Sequence, residues 1–541
     1  MSGSNTTGLP SRDSAISRQL VRSSAAVAVG TALSRVTGFL RVSAIATLGF
    51  GPLTDVYNIA NNTPNIIYEL LLGGVLTATL VPLYVQYLDN ANREAINAIN
   101  TVALTVLLVI TVLAIAFAPW IIKPYFIGID RPTRAAEERL AVDFLRLFAP
   151  QIFFYGTSAI AAAMLNARRR FVAAAFAPVL NNVVVICVFL IAPHVISDTL
   201  SVETVSENRA VLWLFGLGTT AGIAVMAIAL LPALHRAGLA SSFSRRWRHP
   251  AVKTMVRLSG WTIGYVITNQ IAFWIVMVLA YRESGDTSAY LAAFIVFQLP
   301  HGLFAVTIMT TLMPELSAAA VRHDTDAFRH QFASGLRLIG LVIVPSACVM
   351  ATLARPIVNG VLDHGDFTSQ SAALSAETLA AFGGGLVFFS VYLYTLRAFY
   401  ALHDTRKPFV LNCWENAINI VLAFALYPTF GVQGLAAAWS LAYLFAAAMA
   451  LVALRRRIGS LETRRTLQCF RKIIIGAVGV TVVSFTVGRI FGTATTMASI
   501  TTTVIGIAVS ALLYIGVLYL FKVEELLTLI NAFRRQKPAP T

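Results

Sequence analysis

Long apolar stretches, broken by short polar connections, run the whole length of the chain. An α-helix crosses the hydrocarbon of a bilayer with about 20 mainly apolar residues. Segments meeting that test fall near 24–48, 55–86, 98–122, 141–165, 171–194, 210–234, 255–281, 288–318, 331–354, 374–402, 409–429, 432–454, 473–492 and 498–521. The pattern predicts an all-α integral membrane protein with about fourteen transmembrane helices. The second, eighth and tenth segments are long enough to hold a kink, and Pro64, Pro82, Pro300 and Pro314 are the candidates in the second and eighth.

Composition agrees. Of 541 residues, 57% are hydrophobic and 12% charged, whereas about a quarter of a soluble domain is charged. The net charge of +16 therefore speaks of membrane topology before nucleic acid, and no nucleic-acid partner is expected. Lys and Arg in short loops resist translocation. Most of the 41 basic residues fall in the two tails and in 87–97, 166–171, 235–257, 319–337, 403–408 and 455–472. The alternate loops carry only Lys123, Arg131, Arg134, Arg139, Arg209, Arg282, Arg355 and Arg489. Both termini are thus predicted cytoplasmic. The polar first 22 residues hold Arg12, Arg18 and Arg22 with no apolar core before a small-residue cleavage site, so no cleavable signal is expected.

Residues Phe171, Val172 and Asn181 recur as Phe409, Val410 and Asn419 at a constant offset of 238, which contains six spans. An even number gives two copies of the same orientation, as in transporters whose halves are related by an axis along the membrane normal; chance agreement between apolar helices is the alternative. The predicted organisation is a tail (1–22), a first six-helix lobe (23–235), a linker (236–254), a second six-helix lobe (255–457), two further helices (458–521) and a C-terminal tail (522–541).

A charge in the bilayer centre is costly, so ionisable groups there usually meet a partner or water. The first two spans are rich in them. Arg35 and Arg41 lie in the first; Asp55, Asn58, Asn61, Asn62, Asn65 and Glu69 in the second, where the last five step by three or four residues along one helical stripe. Guanidinium groups suit phosphate or diphosphate through paired hydrogen bonds. The competing structural reading lets Arg35 snorkel to the surface and pairs Arg41 with Asp55 or Glu69. Asn412, Glu415, Asn416 and Asn419 form a second stripe in the eleventh span, suited to a sodium ion or a proton, or else to hydrogen bonds with Asn269 or Gln270. Arg397, within two turns of a helix end, is expected to snorkel, and Arg146 to pair with Asp143.

Cys187, Cys348, Cys413 and Cys469 are scattered in apolar runs and read as buried small hydrophobes. His301, His323, His330 and His403 sit singly near segment ends. No Walker A sequence, sizeable soluble domain or nucleophile with a base is present, so neither enzyme activity, a metal site nor a cofactor is expected.

Ser34-Arg35-Val36-Thr37-Gly38-Phe39-Leu40-Arg41, Thr54-Asp55-Val56-Tyr57-Asn58, Pro64-Asn65 and Leu80-Val81-Pro82 together resemble the signature of the MurJ/MviN lipid II flippases, within the multidrug/oligosaccharidyl-lipid/polysaccharide exporter superfamily. Gln298-Leu299-Pro300-His301-Gly302 and Leu312-Met313-Pro314-Glu315-Leu316-Ser317 look like the second-lobe counterpart. The resemblance spans about 24–456 and is that of a divergent, actinobacterial-type member. It implies two lobes in a V around a cationic cavity, with Arg35, Arg41, Asp55 and Asn65 as substrate residues; the polar stripe itself adds Asn58, Asn61, Asn62 and Glu69 as candidate lining. The chain departs from the pattern at Ile66-Ile67-Tyr68-Glu69 and near Ile295, where the family carries arginines, and at Val42, where an aspartate is common.

The implied activity is alternating-access transfer of the lipid-linked peptidoglycan precursor to the outer leaflet of a bacterial inner membrane. It would be coupled to sodium, protons or membrane potential, with cell-wall synthesis proteins as potential partners. The alternatives are a flippase for another polyprenyl-diphosphate glycan and a cation-coupled drug exporter of the same superfamily.

Overall fold

A computed structural model of the chain describes residues 12–70, 79–195, 199–258 and 260–527. The outermost parts of both expected tails and positions 71–78 of the second span lie outside the described residues. Among the described residues there are helices and no strands.

Among the described residues, eleven helices are long and apolar enough to cross a membrane. One of them, Arg406–Ile458, contains two spans, since Gly431 breaks it with φ +56° and ψ −141°, a conformation open to glycine alone. The first two spans complete a layout compatible with fourteen: α1 (Arg12–Ala46), α2 (Pro52–Tyr68, resuming as Val81–Asp89), α3 (Arg93–Ala116), α4 (Arg134–Ala167), α5 (Phe171–Val195), α6 (Arg209–Arg236), α7 (Gly260–Ala280), α8 (Asp286–Val321), α9 (Thr325–Thr352), α10 (Ser369–Ala401), α11 and α12 on either side of Gly431, α13 (Thr463–Phe491) and α14 (Thr496–Leu520).

The packing repeats. In the first lobe α1 lies against α5 and α2 against α4; in the second α7 lies against α11 and α8 against α10. The repeat-related Asn181 and Asn419 are both buried, each with an amide oxygen lacking a hydrogen-bond partner. Helices α13 and α14 pack on each other, and α13 leans on α9.

Several details differ from the sequence pattern. Helix α1 starts at Arg12, inside the stretch read as tail. The eighth span does carry its irregularity, an i→i+5 turn over His301–Ala305 directly after Pro300, but α10 is unbroken, because no proline interrupts it. The fourth span starts seven residues early, at Arg134, and Arg146 closes its first segment rather than opening the helix; it pairs with Asp143 at 3.5 Å. His301 is buried mid-helix rather than lying at an end. Of the four free cysteines only Cys469 is fully buried, and Cys187 is exposed on an apolar outer face.

The lobes join at one end of the bundle, here the distal end, where α1 turns into α2, α3 into α4, α7 into α8 and α9 into α10. Ser43 donates to the Val361 carbonyl at 2.8 Å, and the Asp366 N–H to the Thr47 carbonyl at 3.0 Å. Gly365 permits this approach, since a Cβ there would sit 2.4 Å from the Thr47 oxygen. Arg131 bridges to the Tyr281 carbonyl and to Glu137, which accepts from the Tyr281 hydroxyl at 2.8 Å. The opposite, proximal end carries the Arg168-Arg169-Arg170 turn and the Arg455-Arg456-Arg457 run.

Candidate functional site: a cationic cavity between the lobes

A cavity of about 590 Å³ lies between the lobes above the distal seal. Its floor is near Ile45 and Phe50, and its wall rises along α1 to Thr31, about 20 Å higher at 1.5 Å per residue. The local sequence of α2 explains the polar side. Pro52 opens the helix and the Thr54 hydroxyl accepts from the Gly51 N–H at 3.0 Å, which fixes the helix start and hence the azimuth of the following stripe. Asn58, Asn61, Asn62 and Asn65 consequently line the cavity opposite Arg35 and Arg41 of α1. Arg35 and Asn65 are exposed and Arg41 is half-buried, so the wall grades from open to enclosed towards the distal end.

No carboxylate pairs with Arg35 or Arg41 among the described residues. The ion pair between Arg41 and Asp55 or Glu69 is not formed. Asp55 lies beneath the cavity, 1% exposed, and accepts from the Gly285 N–H at 2.6 Å, the Ser288 N–H at 3.0 Å and the Ser288 hydroxyl at 2.6 Å. Asn58 donates to the same hydroxyl at 3.0 Å. Of the four residues expected to bind substrate, three border one hollow and the fourth latches α2 to α8 under its floor. Glu69 lies off the cavity wall, beside the stacked rings of Tyr68 and Tyr155.

Sequence reasoning did not single out Tyr155 of α4, Asn182 of α5 or Ser288 and Gln298 of α8, which complete the lining. Only Gln298 carried a signal, as part of the Gln-Leu-Pro motif. The others are brought in by helices that follow α1 and α2 only after one or more intervening spans.

A second hollow, about 760 Å³ and walled almost wholly by apolar side chains, runs between α9 and α14 from Ile357 and Ile500 to Leu518 and Leu526. Phe39 of α1 and Leu299 and Phe304 of α8 close its inner edge, and Leu299 lines both hollows. The two spaces, one cationic and one oily, share this side chain as a common wall.

The eleventh-span stripe lies elsewhere, inside the second lobe. Asn412, Glu415, Asn416 and Asn419 are all buried. Asn416 donates to Glu415 at 2.7 Å and to Asn269 at 3.1 Å, and Asn412 to the Tyr265 carbonyl at 3.1 Å. The amide oxygens of Asn412 and Asn419 are left without partners. This cluster both ties α11 to α7 and holds spare oxygen acceptors. Among the described residues, no group of three or more His, Cys, Asp or Glu could hold a metal ion.

Comparison with known proteins matches residues 45–522 to the family described as lipid II flippase MurJ; Arg35 and Arg41 lie just before the matched stretch. The chain is 28% identical over 431 residues to the probable lipid II flippase MurJ of Rhizobium meliloti (strain 1021), covering 77% of each. It superposes on a structure of lipid II flippase MurJ in an inward closed conformation with a TM-score of 0.75 at 21% identity, covering 92% of this chain and 98% of that one. An inward-facing multidrug resistance MATE transporter of the MOP superfamily gives a TM-score of 0.63 at 15% identity, over 79% of this chain and 95% of that one. Both structural matches speak for the two-lobed fold alone, whereas the family match covers most of the sequence. With residues 45–522 matched, the chain belongs to the lipid II flippase MurJ family.

Proposed function

We propose that this protein moves lipid II, the lipid-linked peptidoglycan precursor, from the inner to the outer leaflet of a bacterial cytoplasmic membrane by alternating access. The observation that carries the reading is the adjacency, on either side of Leu299, of a cavity bearing Arg35 and Arg41 without carboxylate partners and an apolar groove. A polyprenyl-diphosphate glycan has matching parts: an anionic junction between a polar head and a long hydrocarbon tail.

The Arg-rich proximal end is placed in the cytoplasm by the positive-inside rule, and both termini with it. The diphosphate enters from that side and is held by Arg35 and Arg41, while the asparagine stripe of α2 offers hydrogen bonds to the sugar hydroxyls. The tail stays in the groove beside α14. Release outward requires the distal seal to part, and the Asp55 latch is its innermost element. No nucleotide hydrolysis takes part; the work comes from an ion gradient or the membrane potential, which supplies about 2.3 kcal/mol per charge per 100 mV. The Glu415 cluster is the place for a coupling cation: one carboxylate and the free amide oxygens of Asn412 and Asn419 suit a hard ion or a proton. The same chemistry would accept another polyprenyl-diphosphate glycan, a reading favoured by the apolar residues Ile66, Ile67 and Ile295 that replace family arginines. Cell-wall synthesis proteins are the natural partners on the receiving side.

Depletion of the protein in cells, followed by an outer-leaflet accessibility assay for lipid II, tests the assignment. Outer-leaflet precursor should fall as inner-leaflet precursor accumulates; unchanged outer-leaflet precursor would refute it.

A further inference from the structure

Arg397 was expected to snorkel, but its placement on α10 gives it another use. The His301 ring bonds to the Ser390 hydroxyl at 2.9 Å and packs on Phe389 with ring centroids 4.5 Å apart, which fixes that face of α10 against the irregular turn of α8. Seven residues on from Ser390, Arg397 returns to the same face two turns nearer the proximal end, about 10 Å along the axis. On the other side of the same turn Arg35 lies against Gly302, where a Cβ would stand 3.5 Å from its guanidinium nitrogen. Arg35 and Arg397 are both within electrostatic reach of His301, Arg397 is half-buried, and no carboxylate pairs with either arginine among the described residues. Arg41 lies six residues further into α1 than Arg35, about 9 Å deeper. Counted by helix rise, the backbone positions of the three arginines fall at nearly equal steps from the proximal end towards the cavity floor.

We propose that Arg397 is a third anion-binding residue, which receives the lipid diphosphate at the proximal mouth of the cavity and passes it to Arg35. The second lobe thereby contributes the cation that is missing near Ile295. Because a mobile anion is handed along, Arg397 governs capture of the lipid more than the rate of the lobe motion. This inference rests on the flippase reading above.

The test uses the purified full-length protein in detergent, titrated with lipid II and, separately, with a polyprenyl diphosphate that carries no sugar. Arg397→Ala should weaken binding of both lipids by about tenfold or more, and Arg397→Lys should restore part of it. Arg397→Gln, which keeps the stem without the charge, decides the matter should the alanine variant lose its thermal unfolding transition. Wild-type affinity for the sugar-free lipid measured in any of the uncharged variants would overturn the proposal. An Arg41→Ala control separates the two levels: loss of binding there, with none at Arg397, removes only this inference, whereas unchanged binding in both removes the flippase reading.

Discussion

The hydroxyl of Ser288 and the carboxylate of Asp55 lie 2.6 Å apart across the boundary between the lobes, and the Ser288 N–H reaches the same carboxylate oxygen. The interaction joins the second helix to the eighth, 233 residues later. It is a charge held by neutral donors, so its removal strands three of them in a buried place. Asp55→Ala should weaken the distal seal by roughly 3 kcal/mol, and Asp55→Asn by less. Disulfide formation between Thr47→Cys and Asp366→Cys in a cysteine-free background reports on the seal. Cross-linking should slow at least about tenfold in the alanine variant; an unchanged rate would mean that the latch does not hold the lobes together.

Arg41 sits deeper than Arg35 and has less access to water to replace a lost contact. Arg41→Ala should lower affinity for lipid II about 10- to 150-fold, the worth of a charge-assisted hydrogen bond. Arg41→Lys keeps the charge but loses the planar fork and should fall between. Equilibrium binding to purified protein checks both. Equal affinity in all three forms would show that the diphosphate binds elsewhere.

For Glu415 the expected effect concerns coupling. Glu415→Gln preserves shape and an acceptor for Asn416, so the protein should keep its thermal stability within about 1 kcal/mol. Transport in reconstituted vesicles should lose its dependence on an imposed sodium or proton gradient. A variant whose transport still follows the gradient would exclude this cluster as the coupling site.

At the proximal end Arg337, 2% exposed, bonds to Glu525 and to Glu462, the latter at 3.0 Å, and so fastens the α13–α14 pair to α9. Breaking such a buried pair costs about 3–5 kcal/mol, so Arg337→Ala should strongly lower the unfolding temperature. Partial burial pushes the Glu462 carboxyl up, but hydrogen bonds with His330 and Arg337 outweigh it and hold the group below its ordinary 4.5. A carboxyl lowered in the folded state contributes stability above its unfolded value and loses it as the pH falls through the folded one. Thermal melts between about pH 3 and 7 should therefore show a loss in wild type below pH 4.5 that Glu462→Gln lacks. Parallel pH profiles in the two proteins would contradict this.

Much of this architecture was legible because the bilayer imposes it. Apolar length marks the spans, and Arg168-Arg169-Arg170 and Arg455-Arg456-Arg457 mark a side, since both follow from the cost of charge in hydrocarbon. The wet face of α2 was legible from spacing, which is a property of one helix. Contacts between helices mostly were not; the exception is the Asn416–Asn269 hydrogen bond, which the polar spacing of the eleventh span suggested. Asp55 looked like a cavity residue until Gly285 and Ser288 claimed its carboxylate, and nothing in residues 50–60 names that partner. His301 reads from the sequence as lying near a segment end, yet the chain absorbs Pro300 in one wide turn and the helix runs on to Val321. The break at Gly431 was visible only as a short gap between two apolar runs.

Leu299 faces charge on one side and oil on the other. A lipid threaded past it keeps its hydrocarbon among hydrocarbon throughout, and only the part bearing phosphate and sugar needs shelter during the crossing. The length of the isoprenoid chain then drops out of the barrier: carriers with more or fewer units should cross at one speed, so long as the stretch next to the phosphates fits past this leucine.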